Sequence, residues 1–160
     1  STNLGVGNCS GEYIYITNGH SYPKNNRLLE TALSILDSKK YLAGIYGRLY
    51  PPCNLNHTNL VERLVSKLDN LSFPKVYTEY TSFKPGMMNT VSSIFRGDVV
   101  RENIFDSTIT SGGEDAIWAK NILEKSYKIA YDPVLDAIHK HGGSNLKSLR
   151  RFLGYVSMSF

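Results

Sequence analysis

The segment Glu12-Tyr13-Ile14-Tyr15-Ile16-Thr17 sets the expected fold, because its alternating aromatic and β-branched residues are typical of a β-strand. An apolar stripe at helical spacing follows over about 24–36, and Pro23 stands where a helix can begin. Residues 41–46 have strand composition again, and the segment closes at Pro51 and Pro52. This strand–helix–strand order predicts a βαβ unit and therefore an α/β fold, with a mixed, mainly parallel sheet flanked by helices.

The rest of the chain continues the alternation of strand-like and helix-like segments. Asn59 and Glu62 form a capping-box pattern ahead of an amphipathic stretch. The further predicted elements are a helix over 60–68, a strand over 90–95, a short helix over 96–103, a helix from Glu114, a strand over 127–131, an extended segment over 134–138 and a helix from Ser144. Residues 1–11 and 70–89 are predicted as loops from their turn-forming residues. With no internal repeat or linker, residues 1–160 are predicted to form a single domain.

Composition narrows the class of protein without choosing a function. The 160 residues are 41% hydrophobic and 20% charged, which is typical of a globular domain with its own core. No apolar run reaches membrane-spanning length, and the first residues lack a signal-peptide pattern. Two cysteines cannot build a disulfide framework, so a reducing compartment is expected. The net charge of +4 permits an anionic partner such as a nucleotide, a lipid phosphate or a nucleic acid, without choosing among them.

The stretch Ser111-Gly112-Gly113-Glu114-Asp115-Ala116-Ile117-Trp118-Ala119-Lys120 supports two interpretations. Two glycines allow a sharp turn and a close approach of the backbone to a ligand. The acidic pair suits the positive end of a helix dipole, which is a purely structural role. The same pair could instead hold an ionised carboxylate at the mouth of a pocket, where it could accept a proton.

Asn18-Gly19-His20 follows the first predicted strand, where open α/β sheets bind their ligands. Its amide oxygen and imidazole could face a divalent cation or a diphosphate. Asn-Gly is also among the commonest turn dipeptides, so a simple turn is the competing interpretation.

His139 and His141 would point to one side of an extended chain and could ligate a metal or contact a phosphate. A plain surface or core role is the alternative. Lys147, Arg150 and Arg151 share one face of the last predicted helix. That face could touch anionic lipid head groups or simply face solvent.

Taken in order, these segments resemble the central and C-terminal part of a family 2, GT-A-fold glycosyltransferase of the rhamnosyltransferase-like bacterial branch. The resemblance covers nearly the whole chain. Its most specific run is Gly113-Glu114-Asp115, then Tyr127-Lys128-Ile129-Ala130-Tyr131-Asp132-Pro133, then His139-Lys140-His141. Three further segments are similar to motifs of that branch. They are the first predicted strand over 11–16, the segment Ile45-Tyr46-Gly47-Arg48, and the segment from Asn89 through Arg96. The family begins three strands earlier, so the fold is expected to be N-terminally incomplete, without the nucleotide-binding strands.

The resemblance implies roles for particular residues. Asp115 would be the general base of an inverting enzyme, and Glu114 would orient the acceptor. Donor or acceptor contacts are implied for Asn89, Arg48, Gly113 and Trp118. A Mg²⁺ or Mn²⁺ ion would neutralise the leaving diphosphate, with Asn18, His20, His139 and His141 as its candidate ligands. Asn18-Gly19-His20 stands where the family has Asp-x-Asp, so this ligand set is an altered one.

The function implied is transfer of a sugar from a nucleotide-sugar to a glycan or lipid-linked acceptor in bacterial surface polysaccharide synthesis. The expected location is the cytoplasm, with peripheral contact to the anionic inner membrane face as an open alternative, and no nucleic acid is expected as a partner. The competing hypothesis is a degenerate transferase fold without catalysis, which acts as a sugar- or partner-binding module.

Overall fold

The computed structural model describes residues 2–50, 75–77, 88–109 and 112–139, and for 75–77 it describes the backbone alone. The helices are α1 (Thr2–Gly7), α2 (Leu28–Ser38), α3 (Gly97–Glu102), α4 (Glu114–Glu124) and a 3₁₀ turn at Pro133–Leu135. The strands are β1 (Tyr13–Thr17), β2 (Ser21–Pro23), β3 (Leu42–Tyr46), β4 (Leu49–Tyr50), β5 (Lys75–Tyr77), β6 (Ser92–Arg96), β7 (Lys128–Tyr131) and β8 (Ala137–His139). The predicted helices over 60–68 and from Ser144 lie outside the described residues.

The mixed α/β class is confirmed, but the prediction of a mainly parallel sheet is wrong for the part of the chain described. Five strands form one sheet in the order β1-β6-β3-β7-β5. Only the β3–β7 pair in it is parallel, and the other three described pairings are antiparallel. The sheet is therefore mixed, as predicted, but most of its described pairings are antiparallel.

The error comes from β6, which inserts between the two strands of the predicted βαβ unit. β1 and β3 are both antiparallel to β6, so they run in the same direction without being neighbours. Ile94 lies opposite Tyr15 on one side and Ile45 on the other. The crossover through α2 therefore spans one extra strand, which arrives from a distant part of the sequence.

A second sheet of three short strands, β2-β8-β4, corrects several local predictions. Pro23 lies in β2 rather than at the start of a helix, and α2 begins at Leu28. An outer strand accommodates Pro23 because proline cannot donate a ladder hydrogen bond. The predicted extended segment over 134–138 is instead split between the 3₁₀ turn and β8. The predicted loops at 1–11 and 70–89 contain α1 and β5, respectively.

Two core clusters cover opposite faces of the large sheet, because side chains alternate along each strand. Phe95 of β6 belongs to the cluster that includes Trp118, Ala119 and Ile122 of α4. The neighbouring Ile94 belongs to the cluster that includes Leu28, Ala32 and Leu36 of α2. The sheet is therefore packed against helices on both faces, and its loops at one edge are left to form a site.

Buried Arg96 ties the end of β6 to the end of α2. Its guanidinium donates to the carbonyl of Leu42 at 2.8 Å, to that of Leu36, and to that of Lys39 at 3.4 Å. Two of these carbonyls lie at the C-terminal end of α2, where a positive charge is favourable. The contact fixes where α2 ends and where β3 begins.

Candidate functional site

The loops that carry most of the candidate residues meet at one edge of the large sheet. Thr17 at the end of β1 pairs with Ser92 at the start of β6. Tyr46 at the end of β3 pairs with Ser93 and with Tyr131 at the end of β7. The carboxyl ends of β1, β3 and β7 therefore share this edge with the amino end of β6, an arrangement in which α/β sheets commonly bind ligands.

Asn18, His20 and His139 come together at this edge. The Asn18 side-chain nitrogen lies 3.2 Å from Nε2 of His139. The rings of His20 and His139 stack with centroids 4.8 Å apart and 22° between their planes. The antiparallel pairing of Ser21 with His139 brings this distant segment to the loop after β1. His20 is exposed, whereas His139 is buried.

Hydrogen bonds fix the loop after β1 against the start of β6. The Ser21 hydroxyl donates to the carbonyls of Asn18 at 3.2 Å and Val91 at 3.3 Å, and it lies 2.8 Å from the Thr17 hydroxyl. The segment Asn18-Gly19-His20 is therefore a turn, as one interpretation of the sequence holds, and it also presents its side chains at the sheet edge.

The stacked rings do not fit a single ion bound by both histidines. A ligated ion lies in the plane of each imidazole, about 2.0–2.1 Å from the nitrogen for zinc. The planes of the two stacked rings are nearly parallel, so they do not meet at a point that is this close to a nitrogen of both rings. Asn18 Oδ1 is buried without a hydrogen-bond partner among the described residues, so one oxygen donor is present. Within the described ranges no group of three or more His, Cys, Asp and Glu residues could hold a metal.

Asp115 lies in the first turn of α4, and its carboxyl group is largely removed from water. Burial raises the pKa of Asp115 to about 6, and the neighbouring charge of Glu114 adds to the increase. Hydrogen bonds from the backbone N–H groups of Ala116, at 2.9 Å, and Thr90 oppose it. The contact with Thr90 brings the carboxyl to the start of β6. At neutral pH the group is mostly ionised, with a pKa that suits a proton acceptor.

The glycines before Asp115 shape this helix start as the sequence predicts. Gly112 and Gly113 have φ angles of 90° and 99°, in the left-handed region that favours glycine. Gly113 is the N-cap residue, and no side chain caps the helix. Glu114 and Asp115 therefore complement the positive end of the helix dipole, so their structural and chemical interpretations are compatible.

Asn89 lies at the same edge, and its side chain bonds to the backbone. Its amide nitrogen donates to the carbonyl of Gly47 at 2.8 Å. Its oxygen accepts from the N–H groups of Val91 at 3.0 Å and Ser92 at 2.8 Å. Asn89 thus joins the loop after β3 to the start of β6, and the described contacts give it a role in building the edge.

Arg48 follows β3 and is fixed by an acid that the sequence reasoning missed. Its backbone N–H donates to Asp136 Oδ1 at 2.8 Å, and the hydroxyl of Tyr131 lies 3.3 Å from the same oxygen. Only 6% of Asp136 is exposed, and this burial raises its pKa. A lone acid within the apolar run 134–138 was the signal in the sequence that could have identified it.

Trp118, a predicted donor or acceptor contact, lies in the core. It is 2% exposed, its indole N–H donates to the carbonyl of Asn103, and its ring lies 5.0 Å from that of Phe95 in an edge-to-face arrangement. A second ring, Phe105, stacks on it at 5.7 Å. His141 and the basic residues of the last predicted helix lie outside the described residues.

The helices of the described ranges are all too short or too polar to cross a membrane. No protein-family model matches the chain, and no curated protein matches it.

Proposed function

We propose that the chain belongs to an inverting sugar transferase, in which Asp115 is the general base. The observation that carries the proposal is the position of its carboxylate. The group is desolvated and held by the Thr90 and Ala116 N–H groups at the edge where β1, β3 and β7 end. The ordered resemblance to family 2 glycosyltransferases in the sequence supports the same function.

In the proposed reaction Asp115 takes the proton of an acceptor hydroxyl while that oxygen attacks the anomeric carbon of a nucleotide-sugar. The new carbon–oxygen bond forms as the bond to the diphosphate breaks, and the electron pair leaves with the nucleoside diphosphate. The proton remains on Asp115 until solvent removes it. Glu114 strengthens the base, because its negative charge raises the pKa of Asp115.

The donor would be a nucleotide-sugar, and the acceptor a glycan or a lipid-linked saccharide of a bacterial surface polysaccharide. No step is assigned to Mg²⁺ or Mn²⁺, because the stacked His20 and His139 rings do not share an ion in this arrangement. A part for such an ion in neutralising the diphosphate stays a prediction from the resemblance.

The test is release of nucleoside diphosphate from UDP-glucose, GDP-mannose and dTDP-rhamnose in the presence of candidate acceptors. Replacing Asp115 with Asn keeps the shape of the side chain and removes the base, so transfer should fall by about 10²–10⁴-fold. Glu124→Gln is the matched control, since this exposed acid lies at the other end of the same helix. Wild-type transfer in Asp115→Asn would overturn the assignment.

The structural roles of the other candidate residues favour a second function. Trp118 and Asn89 serve packing and backbone bonding, and the two imidazoles stack on each other. These features suit a sugar-binding module without catalysis. Calorimetry with the same three nucleotide-sugars, with and without Mn²⁺, separates the hypotheses: donor binding favours the enzyme, and saccharide binding without donor binding favours the module.

A further inference from the structure

The small sheet carries a row of three apolar or aromatic side chains on one face. Tyr22 of β2 and Tyr50 of β4 are each paired directly with Ile138 of β8. Directly paired residues share a face, so these three side chains stand side by side. Two strand spacings separate the tyrosines by about 9–10 Å. Tyr22 is 61% exposed, and Tyr50 and Ile138 are half-buried, so the row is open to solvent at one end.

Two cations lie over the ring of Tyr50. Lys24 Nζ lies 3.8 Å from the centre of the Tyr50 ring, and the Arg48 guanidinium carbon lies 5.1 Å from it. The aromatic face attracts both cations through its quadrupole. Lys24 is exposed, so its ammonium group can contact a ligand lying along the row.

Asp136 fixes the backbone on both sides of the row. Its carbonyl accepts from the N–H of Lys24 at 2.9 Å, and its side chain accepts from the N–H of Arg48 at 2.8 Å. The next N–H, that of Ala137, donates to the Arg48 carbonyl at 2.9 Å. The backbones of Lys24 and Arg48 are therefore fixed next to β2 and β4, which carry the two tyrosines, and such preorganisation favours binding.

We propose that Tyr22, Ile138 and Tyr50, with Lys24 and Arg48, bind a saccharide that carries an anionic group. A pyranose ring presents apolar C–H faces that pack on the exposed ring of Tyr22, and the Tyr22 hydroxyl can bond to sugar hydroxyls. A phosphate or carboxylate on the same saccharide complements the two cations. The length of the row suits a ligand longer than one ring. This surface would be the acceptor platform of the proposed transferase, and its assignment as an acceptor site rests on that proposed function.

The experiment measures binding by calorimetry with defined probes. The anionic saccharides are glucose 1-phosphate and glucuronic acid, and they separate phosphate from carboxylate recognition. Methyl glucoside, inorganic phosphate and UDP test the ring alone, the anion alone and a nucleotide. The variants are Tyr22→Ala and Lys24→Gln. The matched controls are Tyr41→Ala and Lys128→Gln, because Tyr41 is also exposed and Lys128 Nζ lies 4.9 Å from the centre of its ring.

At least one anionic saccharide should bind more tightly than methyl glucoside and inorganic phosphate do. Tyr22→Ala and Lys24→Gln should each weaken it about fivefold or more, and the two controls should stay within about twofold. The proposal is overturned if neither anionic saccharide binds, if the controls weaken binding equally, or if only UDP binding depends on Tyr22. Asp115→Asn should keep this binding. If Asp115→Asn kept wild-type transfer while saccharide binding still depended on Tyr22, Asp115 would not be the base. The assignment of the saccharide-binding surface would still stand.

Discussion

The imidazole rings of His20 and His139 stack on each other, 4.8 Å apart at their centroids, although 118 positions separate the two residues in the sequence. The pairing of β2 with β8 produces this contact, because Ser21 lies opposite His139. Stacking brings the rings together without aiming their nitrogens at a common point. The predicted metal ligands His20 and His139 are therefore close together, but their rings are not arranged to bind one ion.

This geometry makes a prediction about divalent ions. Because the two rings do not share an ion, His20→Ala should leave the affinity of the chain for Mn²⁺ within about twofold of wild type, well short of the effect expected for a lost ligand. Calorimetric titration with MnCl₂ measures it, and a chain that binds no Mn²⁺ meets the same expectation. A loss of affinity of about tenfold or more would contradict the stacked arrangement as the metal-binding state.

A second prediction concerns the pH dependence of transfer. Asp115 must be ionised to accept a proton, and its pKa is raised to about 6. The rate under kcat/KM conditions should therefore fall about tenfold for each pH unit below about 6 and level off above it. Glu114→Gln removes the charge that raises this pKa, so the midpoint should move to lower pH. A midpoint that stays in place in Glu114→Gln would argue against Asp115 as the titrating group.

The same carboxyl group links pH to stability, and the sign follows from its raised pKa. In the unfolded chain an Asp has a pKa of about 3.9, so between pH 4 and pH 6 the folded state holds a proton that the unfolded state releases. Stability should therefore fall as pH rises through this window. The change should be about 1–2 kcal/mol, because part of the Asp115 side chain remains in contact with water. Urea unfolding measures it, and Asp115→Asn should lack this part of the pH dependence.

Local sequence signals predicted the elements that depend on neighbours along the chain. The strand around Ile14 follows from alternation, and the start of α4 follows from Gly113 with its left-handed backbone. The order of strands could not be predicted in this way. The insertion of β6 next to β1 depends on contacts such as Tyr15 with Ile94, and no local pattern encodes a contact between residues so far apart.

The site shows the same division between local and non-local information. Trp118 lies in the helix predicted to begin at Glu114, and the structure buries its ring. Asp136 acquires its meaning only from the fold, because its partners Arg48 and Tyr131 come from other strands. The role of a residue such as Asp115, which depends on one helical turn, could be proposed from the sequence. The role of Asp136 could not, because its partners are distant in the sequence.

Asn89 provides a fourth prediction, which concerns stability. Asn89→Ala removes three hydrogen bonds, which join its side chain to the backbones of Gly47, Val91 and Ser92. Gly47 and Ser92 are buried. The loss should destabilise the fold by about 2–4 kcal/mol, because buried backbone groups then lack partners. Asn8→Ala is the control, since the exposed Asn8 makes one bond, to the carbonyl of Leu4. Urea unfolding measures both; equal stability of the two variants would contradict the structural role of Asn89.

Gly47 provides the final prediction, because its backbone packs directly against the backbone of Leu135 and Asp136. A Cβ atom at this position would come within 2.0 Å of the Leu135 carbonyl carbon and oxygen, and within 2.4 Å of the Asp136 nitrogen. These are backbone atoms, so Gly47→Ala must displace the 3₁₀ turn or the loop after β3. The displacement should destabilise the fold by about 2–4 kcal/mol and also weaken saccharide binding, because Arg48 and Asp136 are moved apart.

Gly19→Ala is the matched control, with no atom within 4 Å of its added Cβ, and should change stability by less than about 0.5 kcal/mol. Urea unfolding at pH 7 compares the two, and a Gly47→Ala variant as stable as Gly19→Ala would show that Gly47 does not pack this closely against Leu135 in solution.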